Sequence, residues 1–94
     1  MNSQVVVSNE CQICNINDGV KIGWYYGAVV CEACKKFFMR GEKNDVHLKF
    51  KCTNKQNCQV SVTNRSQCQY CRYKKCKQIG MDLKCKYIYF IILL

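Results

Sequence analysis

Apolar positions along the chain gather into a few short patches with different periods. Trp24-Tyr25-Tyr26 and Val29-Val30, set off by Gly19, Gly23 and Gly27, predict two short extended pieces. From Glu32 the period becomes helical. Stepping about 100° per residue puts Cys34, Phe37 and Phe38 on one side. Glu32, Lys35, Lys36, Met39 and Arg40 share the other. The pattern predicts a helix from Glu32 to about Arg40, with an acidic first turn and Gly41 as its stop. Residues 42–51 read as a mixed loop, and a second helix runs from Gln67 to about Ile79, closed by Gly80. Phe37 and Phe38 belong in the core, against Tyr26 and the second helix's Tyr70 and Tyr73, where each buried ring contributes roughly 1.5–3 kcal/mol. Residues 1–10 read as a flexible lead-in, and residues 82–94 as a tail that is apolar throughout from Tyr87 to Leu94.

Composition narrows the class. At 94 residues the chain holds at most one small domain, which calls for an added staple. Ten cysteines supply the candidate. The balance of 15 Lys+Arg against 6 Asp+Glu, a net charge of +9, favours a polyanionic partner. No apolar run reaches the roughly 18 residues of a membrane span, so no membrane partner is expected. One histidine, His47, and scattered carboxylates leave little for acid–base or triad catalysis, so the chain is not read as an enzyme. Residues 1–10 show no basic, apolar export signal, so thiols kept reduced and free to bind metal are expected.

The cysteine spacing points the same way. Cys11-x-x-Cys14 and Cys31-x-x-Cys34 are knuckles 16 residues apart; Cys68-x-x-Cys71 is a third, and Cys52 and Cys58 form a looser pair. A tight turn brings both sulfurs of such a pair onto one cation, and two pairs complete a tetrahedron. Two structural Zn(2+) ions are therefore expected, closed to water by four thiolates each. Zinc contributes about 10–16 kcal/mol in finger peptides against a typical net domain stability of about 5–15 kcal/mol, so the metal-free chain should be largely unfolded. His47 is expected to be a solvated loop residue and Cys85 a free or partly buried thiol. The polar face of the first helix mixes long donors with one acceptor, as base reading requires. Lys and Arg donate to guanine, and Glu accepts from the amino group of cytosine.

These residues resemble a known family. The stretch from Gly23 through Tyr25-Tyr26-Gly27 and Cys31-Glu32-Ala33-Cys34-Lys35-Lys36-Phe37-Phe38 to Arg40, followed by Asn64-Arg65-Ser66-Gln67-Cys68-Gln69-Tyr70-Cys71-Arg72-Tyr73-Lys74-Lys75-Cys76 and Gly80-Met81, is similar to the DNA-binding domain of nuclear hormone receptors. The resemblance covers residues 11–81. It implies a small zinc-stabilised, mainly α fold: two zinc modules, each followed by a helix, with the helices crossing to share one core, as in the glucocorticoid receptor's DNA-binding domain. It implies Cys11, Cys14, Cys31 and Cys34 on one zinc, Cys52, Cys58, Cys68 and Cys71 on the other, and Cys76 as a buried non-ligand. By the same likeness the helix from Glu32 reads an AGGTCA-like half-site in the major groove. Glu32, Lys35, Lys36 and Arg40 take base-contacting positions; Tyr25, Tyr26, Arg65 and Arg72 take phosphate-contacting ones.

The implied role is the DNA-binding part of a transcription factor in the nucleus, with double-stranded DNA as partner. Residues Thr53 to Asn57 match a dimer-contact loop for a homo- or heterodimer, although their composition equally suits a plain exposed loop. Four departures stand out: longer gaps around Val20-Lys21-Ile22 and around Glu42 to Asp45, Tyr25 in place of the usual His, and the bulky Lys36 where a small residue is usual. The 13 residues after Met81 are too few for a ligand-binding domain, so a truncated chain that takes no small-molecule hormone is expected. The alternative is a zinc-stapled protein–protein interaction module, disfavoured by the lone His47 and the basic helix face.

Overall fold

The computed structural model of the chain describes residues 10–17 and 20–87. Strands β1 (Ile22–Tyr25) and β2 (Ala28–Cys31) pair antiparallel, with Ile22 opposite Cys31 and Tyr25 opposite Ala28. Tyr26 and Gly27 make the turn between them, at φ 56° and 102°. Two successive left-handed residues match the twist of a tight hairpin. Tyr26 is therefore the turn, not the end of an extended piece. A Cβ on Gly27 would meet the Gly80 carbonyl at 3.1 Å and the Cys85 sulfur at 3.3 Å, so the missing side chain also lets the C-terminal turn close on the hairpin.

Helix α1 (Glu32–Glu42) follows β2 directly. Its N-cap is Cys31, whose sulfur accepts the Cys34 N–H at 3.4 Å in the place usually taken by a Ser or Asp oxygen. The helix does not stop at Gly41. It runs one residue further, and Gly41 is buried because a Cβ there would lie 3.3 Å from the Tyr73 ring. Lys43–Lys49 then forms short 3-10 turns broken at Asn44 and Asp45, both left-handed, rather than an irregular loop.

Helix α2 (Gln69–Ile79) starts two residues later than the pattern suggests. The Gln67 N–H is held in the preceding turn by the Asn64 carbonyl, and Cys68 becomes the N-cap, its sulfur accepting the Cys71 N–H at 3.3 Å. Gly80 ends α2 as expected, at φ 106°, with its N–H on the Cys76 and Lys77 carbonyls. A last 3-10 turn spans Leu83–Tyr87.

One core joins these pieces. Phe38 is fully buried, with its ring centroid 6.1 Å from that of Tyr26 and 5.9 Å from that of Tyr73. Phe37 stacks on Phe50 at 5.7 Å, and Tyr70 packs half-buried against the same cluster. His47 is not a solvated loop residue: its ring stacks on Tyr73 at 4.5 Å and its Nδ1 lies 2.9 Å from the Gly41 carbonyl. Of the expected lead-in and tail, only residue 10 and residues 82–87 fall within the described region.

Candidate metal centres and nucleic-acid interface

Cys11, Cys14, Cys31 and Cys34 converge, as do Cys52, Cys58, Cys68 and Cys71; within each set all sulfurs lie within 4.8 Å of one another. The closer pairs are Cys14–Cys31 at 3.8 Å, and Cys52–Cys58 and Cys52–Cys71 at 3.7 Å. These gaps are far beyond a disulfide bond of about 2.05 Å. They match the edge of about 3.8 Å for a tetrahedron with Zn–S bonds of about 2.3 Å. Every cysteine of the chain is free of disulfides. The first set, which is buried, joins the Cys11–Cys14 turn to Cys31 at the end of β2 and Cys34 in the first turn of α1; the second joins Cys52 and Cys58 of the preceding loop to Cys68 and Cys71 at the start of α2 and is half-exposed except for Cys71.

Backbone N–H groups aim at these sulfurs. Cys11 accepts from Ile13 at 3.3 Å and Cys14 at 3.5 Å; Cys52 accepts from Asn54 at 3.2 Å and Gln56 at 3.3 Å. The hydrogen bond with Cys34 draws the Cys11 thiol down to about 4 against the opposing effect of burial, while that same bond and burial push Cys34 well up. The Asn54 N–H brings Cys52 down to about 6, and the hydrogen bond with Cys52, followed by burial, raises Cys58 to about 12. Cys11 thus ionises readily where Cys31 and Cys34 resist, and Cys52 where Cys58 and Cys71 resist, as expected of crowded sulfurs that need a shared cation to ionise together. The two sets fit two structural zinc ions. With four thiolates each, neither centre leaves an open position for chemistry. Cys76 stands apart: fully buried, with burial pushing its thiol up to about 12, it is a neutral core residue.

Two guanidinium groups reach the first centre from the second module. Arg65 Nη1 lies 3.2 Å from Cys14 Sγ and 3.7 Å from Cys31 Sγ. Burial works against the Arg65 charge, but the Cys14 sulfur and its neighbours raise its pKa overall. Arg72, only 6% exposed, places Nη2 3.2 Å from Cys34 Sγ and its guanidinium 4.4 Å over the Phe37 ring. The resemblance gave both arginines phosphate contacts. In the folded chain both guanidinium groups lie against cysteine sulfurs of the first centre.

The polar face of α1 does lie outward. Glu32, Ala33, Lys36 and Arg40 line an open concavity of about 490 Å³, closed on its far side by Arg65 and Arg72. Ser66 completes the wall; it lies in the stretch that carries the resemblance but was given no site role there. Lys35 does not line this space, and its Nζ sits 4.5 Å over the Tyr25 ring. Tyr26 is half-buried against Phe38. The structure thus gathers Glu32, Lys36, Arg40, Arg65 and Arg72 about one space and leaves Lys35, Tyr25 and Tyr26 beside it.

Residues 9–83 match the double treble clef zinc finger of the C4 type. The chain is 43% identical over 75 residues to steroidogenic factor 1 of Notamacropus eugenii, which covers 79% of this chain and 15% of that protein. It is equally similar to nuclear receptor subfamily 5 group A member 2 of Mus musculus, 43% over 75 residues, covering 12% of that protein. It is 38% identical over 83 residues to nuclear hormone receptor family member nhr-23 of Caenorhabditis elegans, covering 86% of the chain and 14% of the relative. The chain therefore spans a small part of the length of each of these relatives, none of which is named as an enzyme.

Proposed function

The chain belongs to the C4-type double treble clef zinc-finger family of nuclear receptor DNA-binding domains, and from that premise we propose that residues 11–81 bind double-stranded DNA sequence-specifically as part of a nuclear transcription regulator. One observation carries the reading: the outward face of α1, with Glu32, Lys36 and Arg40, opens onto a concavity whose other wall is Arg65 and Arg72. An outward helix face opposite a basic wall suits a duplex edge, with side chains toward the bases and cations toward the backbone.

The zinc-thiolate centres hold the geometry and perform no reaction. Zinc, once bound by the eight clustered cysteines, supplies the charge that lets the thiolates sit together. Cys31 and Cys68 each cap a helix with a ligand sulfur, so closing a centre also fixes where that helix begins. In this reading α1 lies in the major groove. Lys36 and Arg40 donate to guanine, Glu32 accepts from cytosine, and Lys35 contributes to the same half-site from its place over Tyr25. Tyr25 and Tyr26, with the arginines, face the backbone phosphates. The preferred half-site is AGGTCA-like.

Binding to AGGTCA and scrambled duplexes, each measured across a salt series, tests the proposal. A clear preference for AGGTCA with affinity falling steeply in salt supports it; equal affinity for both duplexes refutes sequence reading. The exposed loop from Thr53 to Asn57 is proposed as the contact for a second copy or a related receptor. Loss of cooperativity on a two-half-site duplex in Lys55→Glu supports that contact, and unchanged cooperativity argues against it.

A further inference from the structure

A second concavity, of about 350 Å³, adjoins the first and shares Glu32, Ala33 and Arg65 with it. Ile16, Val20 and Lys21 form its other wall. The first space is lined mainly by charge, whereas this one offers carbon from Ile16, Val20 and Ala33. Val20 is 41% exposed, a bare apolar side chain beside the charged Lys21, Glu32 and Arg65. It stands in the Val20-Lys21-Ile22 stretch, where the resemblance implies a longer gap before Cys31.

The shelf is fixed relative to the reading helix. The Glu32 N–H donates to the Lys21 carbonyl at 3.3 Å, and Ile22, the next residue, pairs with Cys31 across the hairpin. Wherever the first turn of α1 goes, Val20 goes with it. In the major groove of a duplex, base edges present hydrogen-bond donors and acceptors with one apolar exception, the C5-methyl of thymine. An apolar shelf continuous with a helix face suited to base edges is complementary to that methyl group. We infer that Val20, backed by Ile16 and Ala33, reads the C5-methyl of one thymine on the Glu32 side of the bases reached by Lys36 and Arg40. The inference rests on the DNA-binding reading above and extends it: the sequence this chain prefers includes a base pair set by Val20.

Deoxyuridine differs from thymine only in lacking that methyl, which makes it the probe. The full chain, loaded with zinc, is titrated against an AGGTCA duplex with thymines placed in both flanks, each thymine replaced in turn by deoxyuridine. For the unaltered chain one replacement should weaken binding about fourfold, the worth of one methyl removed from water. Val20→Ser, checked to retain two zinc ions and the preference for AGGTCA over a scrambled duplex, should bind the thymine and deoxyuridine duplexes alike. A flat deoxyuridine scan, or a sensitive thymine that stays sensitive in Val20→Ser, overturns the inference while leaving the preference for AGGTCA intact. Loss of that preference in the unaltered chain overturns the DNA reading, and the shelf with it.

Discussion

Arg72 places one guanidinium nitrogen 3.2 Å from the Cys34 sulfur and lies 4.4 Å over the Phe37 ring, whereas Arg40 stands exposed on the outer face of α1. The two arginines line the same concavity but should fail differently. Arg72→Ala removes a hydrogen bond to a ligand sulfur. A loss of that kind costs roughly 10- to 100-fold in metal affinity, so the first centre should lose zinc to a competing chelator that much more readily. Arg40→Ala should leave zinc affinity unchanged and reduce discrimination between AGGTCA and scrambled DNA by about 1–3 kcal/mol. Unaltered zinc affinity in Arg72→Ala would contradict the assignment. The burial of Arg72 was not read from the sequence, which gave it a phosphate contact by resemblance; the structure leaves it 6% exposed. Its sulfur partner was not legible either, because Cys34 lies 38 residues away, and Arg65 meets Cys14 across 51. No local period reports a contact at that range.

Helix α1 shows how one signal can carry two meanings. A glycine after a periodic run ordinarily marks a helix end, and Gly80 does so. Gly41 stands at the corresponding place after Arg40 yet lies inside the helix, where its bare backbone admits the Tyr73 ring. Tyr73 has little room to yield. It stacks against both Phe38 and His47, and its hydroxyl donates to the Glu42 carboxylate, a contact that, after burial, helps keep its phenol protonated. In an exposed helix, glycine to alanine gains about 1 kcal/mol. Here Gly41→Ala should lose stability instead, by about 1–3 kcal/mol through overpacking, seen as a lower midpoint in thermal unfolding of the zinc-loaded chain. Phe38→Ala should cost more, about 3–5 kcal/mol, since it empties the centre of the core. Helix existence, facing and the α2 stop follow from sequence period. The Tyr26 turn and the 3-10 segment after α1 depend on left-handed residues that the apolar pattern does not mark.

Across the whole molecule the two centres differ in protection. Cys11, Cys14, Cys31 and Cys34 are all buried and have Arg65 and Arg72 as cationic neighbours; Cys52, Cys58 and Cys68 are half-exposed. A chelator should therefore remove the second zinc before the first, giving a one-zinc species in native mass spectrometry whose remaining ion is lost on Cys14→Ser and kept on Cys52→Ser. Simultaneous loss of both ions, or the reverse order, would count against the difference in burial. The existence of two tetrahedral centres was legible because paired thiols at short spacing have few other uses in a reduced chain, whereas the partition of the eight ligands came from resemblance. The unequal shielding needed coordinates, since it depends on where the second module's arginines end up. The most direct test of the account is the ratio of affinities for AGGTCA and scrambled duplexes, followed as zinc is added to the reduced, metal-free chain. The ratio should start near unity and rise to its full value as two zinc ions bind per chain. A preference already present without metal, or still absent at two zinc ions per chain, would contradict it.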